Sequence, residues 1–148
     1  IKENISLPNL KSLCKAGFLN KKKEKEQVQD YFKRLRIKAN SMNVDAYTLS
    51  GGNQQKLVLA KWLMSNPKVL ILDEPTRGID VGAKYEIYEL MNEMAEAGMA
   101  VLMISSELPE LIGMCKRIYV MAEGEIKGEL ENEDISQVSV MHLATGGQ

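Results

Sequence analysis

Leu49-Ser50-Gly51-Gly52-Asn53-Gln54-Gln55-Lys56 opens an apolar helical run with a serine and two glycines. Glycine lets a backbone come close to whatever it faces, and the first N–H groups of a helix have no partner within it. Those donors, the positive end of the helix dipole and the Ser50 hydroxyl together favour an anion such as a phosphate group. A plainer account stays open: Ser50 as a simple N-cap, with Asn53 as a short capping-box partner.

Further along, Val69-Leu70-Ile71-Leu72-Asp73-Glu74-Pro75 is a continuous apolar run that ends in acid. It predicts a strand buried on both faces, as in a parallel sheet. Asp73 and Glu74 stand at its carboxyl end, where open α/β sheets bind ligands. Two adjacent carboxylates there suit phosphoryl transfer to water. Asp73 can hold Mg²⁺ through water, because Mg²⁺ dehydrates reluctantly. Glu74 can orient or deprotonate the attacking water. A solvated acidic turn after a core strand is the alternative.

Taken together, the two runs resemble an ATP-binding cassette (ABC) ATPase. Leu49 to Asn53 match its signature, Val69 to Asp73 its Walker B strand with Glu74 adjoining, and Gly78-Ile79-Asp80 its D-loop. The likeness is greatest to the sugar-importer branch, in which one polypeptide carries two cassettes. The runs Leu49 to Lys56, Asp73 to Lys84 and Ile104 to Leu111 resemble the second of them. The resemblance implies an α/β fold: a partial P-loop NTPase sheet with helices, plus an α-helical signature subdomain. Residues 1–66 would form that subdomain, and 67–148 the Walker B, D-loop and switch part of the core.

No Gly-x-x-x-x-Gly-Lys-Ser/Thr occurs in the sequence, so the Walker A phosphate loop and its strand are expected to be missing. No Gln-loop is found either, and the chain opens at Ile1-Lys2-Glu3-Asn4. The expectation is a fragment that begins after the Gln-loop and is inactive alone. The switch histidine of the family is replaced by Ser106, which can hydrogen-bond a γ-phosphate but cannot carry an imidazolium charge. The one histidine, His142, lies far along the chain.

By the resemblance, cassettes meet head to tail, each ATP held by one Walker A and capped by the other signature. Ser50, Gly51, Gly52 and Asn53 would then bind the nucleotide of a partner cassette, with Asp80 crossing the same interface. Asp73 would serve Mg²⁺, and Glu74 and Ser106 the chemistry at this cassette's own site. The implied partners are a second cassette and transmembrane permease subunits, the implied place the cytoplasmic face of the cell membrane. A non-hydrolytic half that only completes the partner's ATP site is the competing reading, motivated by Ser106. A chromosome or DNA-repair ATPase would need long coiled-coil insertions, for which 148 residues leave no room.

Composition agrees with one domain: 45% of residues are apolar and net charge is −1. No run of eighteen apolar residues and no signal-peptide pattern occurs. Residues 1–48 carry eleven Lys/Arg against five Asp/Glu, centred on Lys21-Lys22-Lys23 without interleaved aromatics. That reads as a solvated helix start and not as a nucleic-acid site. Cys14 and Cys115 have no metal spacing and apolar neighbours, so buried free thiols are expected. Helices are expected from Pro8 to near Gly17, about 21–38, 52–65, 84–96, 107–114 and 134–143, with polar loop at 40–48. Strands are expected at 69–73, 100–105, 117–122 and 125–130, and a frayed end at Gly146-Gly147-Gln148. Loss of the Walker A strand would leave open edges through which copies could associate. Calorimetric titration of the 148-residue chain with Mg-ATP should show no tight binding. Micromolar affinity would contradict the absence of a phosphate cradle.

Overall fold

Asn20 accepts a hydrogen bond from the Lys23 N–H at 3.1 Å and so starts the longest helix of the first third, α3 (Lys21–Arg34). A computed structural model describes residues 1–15 and 17–146; the expectation for residues 147 and 148 lies outside them. The chain forms two compact units, residues 1–103 and 104–148.

The first unit begins with α1 (Lys2–Ser6), a 3-10 turn at Leu7–Asn9 and α2 (Leu10–Leu13). The expected helix from Pro8 to Gly17 is therefore divided. Pro8 sits at the start of the 3-10 turn, and the helix gives way at Cys14 to a small antiparallel pair, β1 (Cys14–Lys15) and β2 (Phe18–Leu19). Cys14 lies exposed on that pair, not buried as expected, and Cys115 is half-buried. Burial pushes the Cys115 thiol pKa up.

α3 buries Val28, as its spacing predicts, and also Glu24, which is 2% exposed. Ser6 Oγ donates to Glu24 Oε1 at 2.7 Å, and the Lys2 ammonium stands 3.6 Å from the other carboxylate oxygen. This ties α1 to α3. α3 stops four residues before the expected Lys38, because Arg36 adopts a left-handed φ of 51° that ends the helix. A loop with a 3-10 turn at Ala46–Thr48 leads into α4 (Gly51–Leu63).

α4 is not buried all round. Val58 and Trp62 are exposed, and Lys61 lies over the Trp62 ring. Leu59, Ala60 and Leu63 are buried, and Tyr31 of α3 donates its hydroxyl to the Leu63 carbonyl at 3.1 Å.

After Asn66 and Pro67 comes β3 (Val69–Asp73), with the expected bounds. Its burial alternates: Leu70 and Leu72 are inside, whereas Val69 is 57% and Ile71 63% exposed. The expectation of burial on both faces fails because only one face is covered among the described residues. α5 (Val81–Glu96) follows and buries Ile87, Leu90, Met91 and Met94.

β4 (Ala100–Ile104) pairs with β3. The Ala100 N–H donates to the Lys68 carbonyl at 3.0 Å, so the two strands start side by side, as in a parallel βαβ unit. The division between the two units, at 103/104, falls inside β4.

The second unit holds α6 (Leu108–Met114), the hairpin of β5 (Arg117–Ala122) and β6 (Glu125–Glu131), and α7 (Gln137–Ala144). Glu123 and Gly124 both have positive φ, 52° and 79°, which the tight hairpin turn requires. Ile118, Val120 and Val140 form its core. Ser136 and Ser139 cap α7 reciprocally, starting it three residues after the expected Asp134. β3–β4 is a two-stranded sheet of the first unit, and β5–β6 one of the second. No helix among the described residues is long and apolar enough to cross a membrane.

Lys56 is the least expected core residue, at 1% exposure. Its ammonium contacts the Glu86 carboxylate of α5 and the Arg36 carbonyl, and Lys38 Nζ meets the same carboxylate at 3.2 Å. The hydrogen bonds from Lys56 and then Lys38 hold the Glu86 pKa below the ordinary carboxylate value. Losing Glu86 strands a buried cation, whereas losing Lys56 leaves a carboxylate that still reaches water. Glu86→Ala should therefore cost about 3 kcal/mol, and Lys56→Met clearly less, in chemical denaturation. Because the folded pKa is depressed, this stabilisation is full above the ordinary carboxylate pKa and is lost as pH falls through the folded value. The gap between wild type and Glu86→Ala should narrow there; a gap independent of pH would contradict the assignment.

Candidate functional site

Two helix starts lie against each other in the first unit. α4 starts at Ser50, with φ −61° and ψ 157°, and α5 at Asp80, with φ −65° and ψ 154°. Both are extended N-cap residues, but their side chains differ in use. Asp80 Oδ1 accepts the Ala83 N–H at 2.9 Å, so its carboxylate caps α5. Ser50 makes no side-chain cap bond.

Asn53 replaces the expected capping pattern. Its Nδ2 donates to Ser50 Oγ at 2.9 Å, and its Oδ1 accepts the Lys38 N–H at 2.8 Å. The first α4 amides accordingly receive nothing from the Ser50 side chain and face outward at an exposed Ser50 and Gly51. Helix N–H donors and the helix dipole make this a place where an anion is favoured.

The two glycines do different things. A Cβ on Gly52 would stand 2.5 Å from Ala83 Cβ and 3.5 Å from Ile79 Cγ2, so Gly52 is what lets α4 close on the loop before α5. A Cβ on Gly51 would meet only the Gly78 carbonyl, at 3.9 Å. Gly51 is therefore free to face a ligand. Gly52 is buried. The structure thus brings together residues 50–53 and 78–80, as two halves of one surface.

Asp73 ends β3 with its side chain exposed, and Glu74 follows at a left-handed φ of 47°. A non-glycine residue held there is strained, and such strain clusters at functional sites. The surrounding chain fixes it: Pro75 and Thr76 are buried, and the Glu74 carbonyl accepts the Arg77 N–H at 3.2 Å. No cluster of three or more metal-ligating side chains occurs among the described residues. A Mg²⁺ ordinarily takes one or two carboxylates, with waters and phosphate oxygens filling its other positions. Asp73, exposed at a strand end, is the residue that would hold it.

Ser106 belongs to the second unit, exposed between β4 and α6. Its neighbour Ser105 accepts the Glu107 N–H at 3.0 Å and donates to the buried Glu110 at 2.8 Å, which shapes the start of α6. Sequence reasoning missed Lys56, Glu86 and the Lys38 N–H as supports of the site. The i, i+4 spacing of Gly52 and Lys56 was the available signal, since it sets both on one helix face.

The model of the ABC transporter family matches residues 1–77. The chain is 57% identical over its whole length to the ribose import ATP-binding protein RbsA of Bacillus licheniformis, covering 30% of that protein. It is 54% identical to the xylose import ATP-binding protein XylG of Thermoanaerobacter pseudethanolicus, covering 29% of it. The chain thus spans about a third of the length of these relatives. Among solved structures it is similar to the ADP conformation of MJ1267, an ATP-binding cassette of an ABC transporter. There the TM-score is 0.77 at 26% identity, over 98% of this chain and 62% of that one. The dimeric cassette MJ0796 shares the fold, with TM-score 0.74 at 24% identity over 88% of this chain and 55% of that one.

Gly52→Ala should lose about 1–3 kcal/mol in denaturation, because the new methyl overlaps Ala83. Gly51→Ala should be close to wild type in the same assay. Equal stability of the two variants would contradict the packing role of Gly52.

Proposed function

The chain belongs to the ABC transporter family, and from that premise we propose that it is part of an ATP-hydrolysing subunit that powers sugar import. It contributes the signature, Walker B and D-loop of one cassette. The exposed N-terminus of α4, where the Ser50 hydroxyl accepts from the Asn53 side chain and makes no cap bond to the helix amides, is the observation that carries the reading. Ser50 and the amides of Gly51 and Gly52 donate to the γ-phosphate of an ATP bound to a partner cassette. The nearby loop at Gly78 to Asp80 lines the same contact, with Asp80 acting through its cap on α5. Asn53 is counted with the nucleotide-binding residues through its bond to Ser50.

At this cassette's own site, Asp73 holds Mg²⁺, which when bound neutralises charge on the phosphate oxygens. Glu74 orients the attacking water and accepts its proton, and Ser106 hydrogen-bonds the γ-phosphate. The triphosphate cradle itself comes from sequence outside this chain. The bare Val69 and Ile71 face agrees with that arrangement. Placement in the second of two cassettes rests on the runs at 49–56, 73–84 and 104–111. Permease subunits and a second cassette are the partners, at the cytoplasmic membrane face. Copies of the isolated chain would associate through their open sheet edges.

Ser106 favours one competing reading, in which this half binds nucleotide but does not turn it over. Glu74→Gln in the intact protein, assembled with its permease, separates the two. Loss of ATP turnover by about 10²-fold or more is expected. Unchanged turnover would leave the non-hydrolytic reading in its place.

A further inference from the structure

The bonds around Asn53 decide whether Ser50 Oγ donates or accepts there. The Lys38 main-chain N–H can only donate, so the Asn53 atom 2.8 Å from it is the amide oxygen. The other amide atom, 2.9 Å from Ser50 Oγ, is then the nitrogen, which can only donate as well. Ser50 Oγ is consequently the acceptor in that bond. Its own proton is left for another acceptor, and Ser50 is exposed at the start of α4.

We infer that Asn53 is a positioning residue: pinned by the Lys38 N–H, it fills a Ser50 lone pair and reserves the Ser50 proton for a phosphate oxygen. This rests on the reading of Ser50 as a γ-phosphate donor. It gives Asn53 a role that needs no contact with nucleotide. A serine at a helix start ordinarily turns its oxygen back onto the N–H of the first turn, and its proton then points wherever it is free to rotate. Here the amide of Asn53 stands in for that N–H, so the oxygen accepts without turning back onto the first turn and the proton stays available to the nucleotide. Preorganised donors aimed at developing charge act without reorganisation at the moment of reaction.

Aspartate is the informative replacement. It keeps the acceptor for the Lys38 N–H, and a carboxylate in the first turn suits the helix dipole, so the fold is retained. It has no N–H, so the Ser50 hydroxyl would turn and donate to it instead of to phosphate. Aspartate also repels phosphate, but that repulsion does not depend on the Ser50 hydroxyl, and a double-mutant cycle separates the two effects.

The test measures ATP hydrolysis by the intact protein assembled with its partners, for wild type, Ser50→Ala, Asn53→Ala, Asn53→Asp and the two double variants. Ser50→Ala should lower kcat about tenfold or more, as expected for a lost hydrogen bond to a charged group. Asn53→Ala should lower kcat by a smaller factor, with KM for ATP unchanged, and should cost nothing further once Ser50 is replaced. Asn53→Asp should cost more with the hydroxyl present than without it. An equal cost of both Asn53 replacements in the two backgrounds would overturn the positioning role. Full turnover by Ser50→Ala would instead overturn the phosphate reading beneath it.

Discussion

The close approach of α4 to α5 is the constraint on which the site depends. Gly52 faces Ala83 where any side chain would collide, and one turn further Lys56 reaches the Glu86 carboxylate. Gly52 and Lys56 lie on one face of α4 by their i, i+4 spacing, and Ala83 and Glu86 on one face of α5 by i, i+3. The seam they form is small at its open end and charged further in. It sets two helix starts side by side, so that Ser50 and the loop at 78–80 share a surface. A buried cation at this point is costly unless its partner is in place. It therefore specifies the register of the two helices more sharply than apolar packing would, because any slide separates the charges.

Much of this was legible in the sequence, for reasons that differ by element. β3 has the bounds that its apolar run gives, since Pro75 and the acidic pair after Leu72 end it. α5 is longer than its apolar stripe at Lys84 to Glu96, because the Asp80 cap extends it back to Val81. Ile87, Leu90, Met91 and Met94, which α5 buries, recur at helical spacing. Spacing could not place the end of α3, because Arg36 turns left-handed in a stretch with no glycine to announce it.

Lys56 was invisible for a different reason. A lysine within an otherwise apolar run reads as a surface residue, and only the tertiary partner Glu86, thirty residues on, makes its burial tolerable. The same blindness hid the Lys38 N–H, a main-chain group with no sequence mark at all. Val58 and Trp62 belong to the apolar run of α4 and are nevertheless exposed. An all-apolar helix normally implies burial on every side, but the described residues cover only part of it. Likewise the open face of β3 is apolar by sequence and bare in the structure. Apolar pattern reports the surface a segment can bury, whereas the neighbours present decide how much of it is buried.

Glu74 carries a consequence of another kind. Its φ of 47° costs a side-chain-bearing residue about 1–2 kcal/mol, a penalty that glycine alone escapes. The role proposed for this position asks for a carboxylate, and backbone ease asks for no side chain at all. A search for sturdier versions of this polypeptide that ignored catalysis would be drawn to erase the very group proposed to handle water. Thermal robustness and turnover are thus opposed at one peptide unit, and improvement in the first should be judged with the second in view.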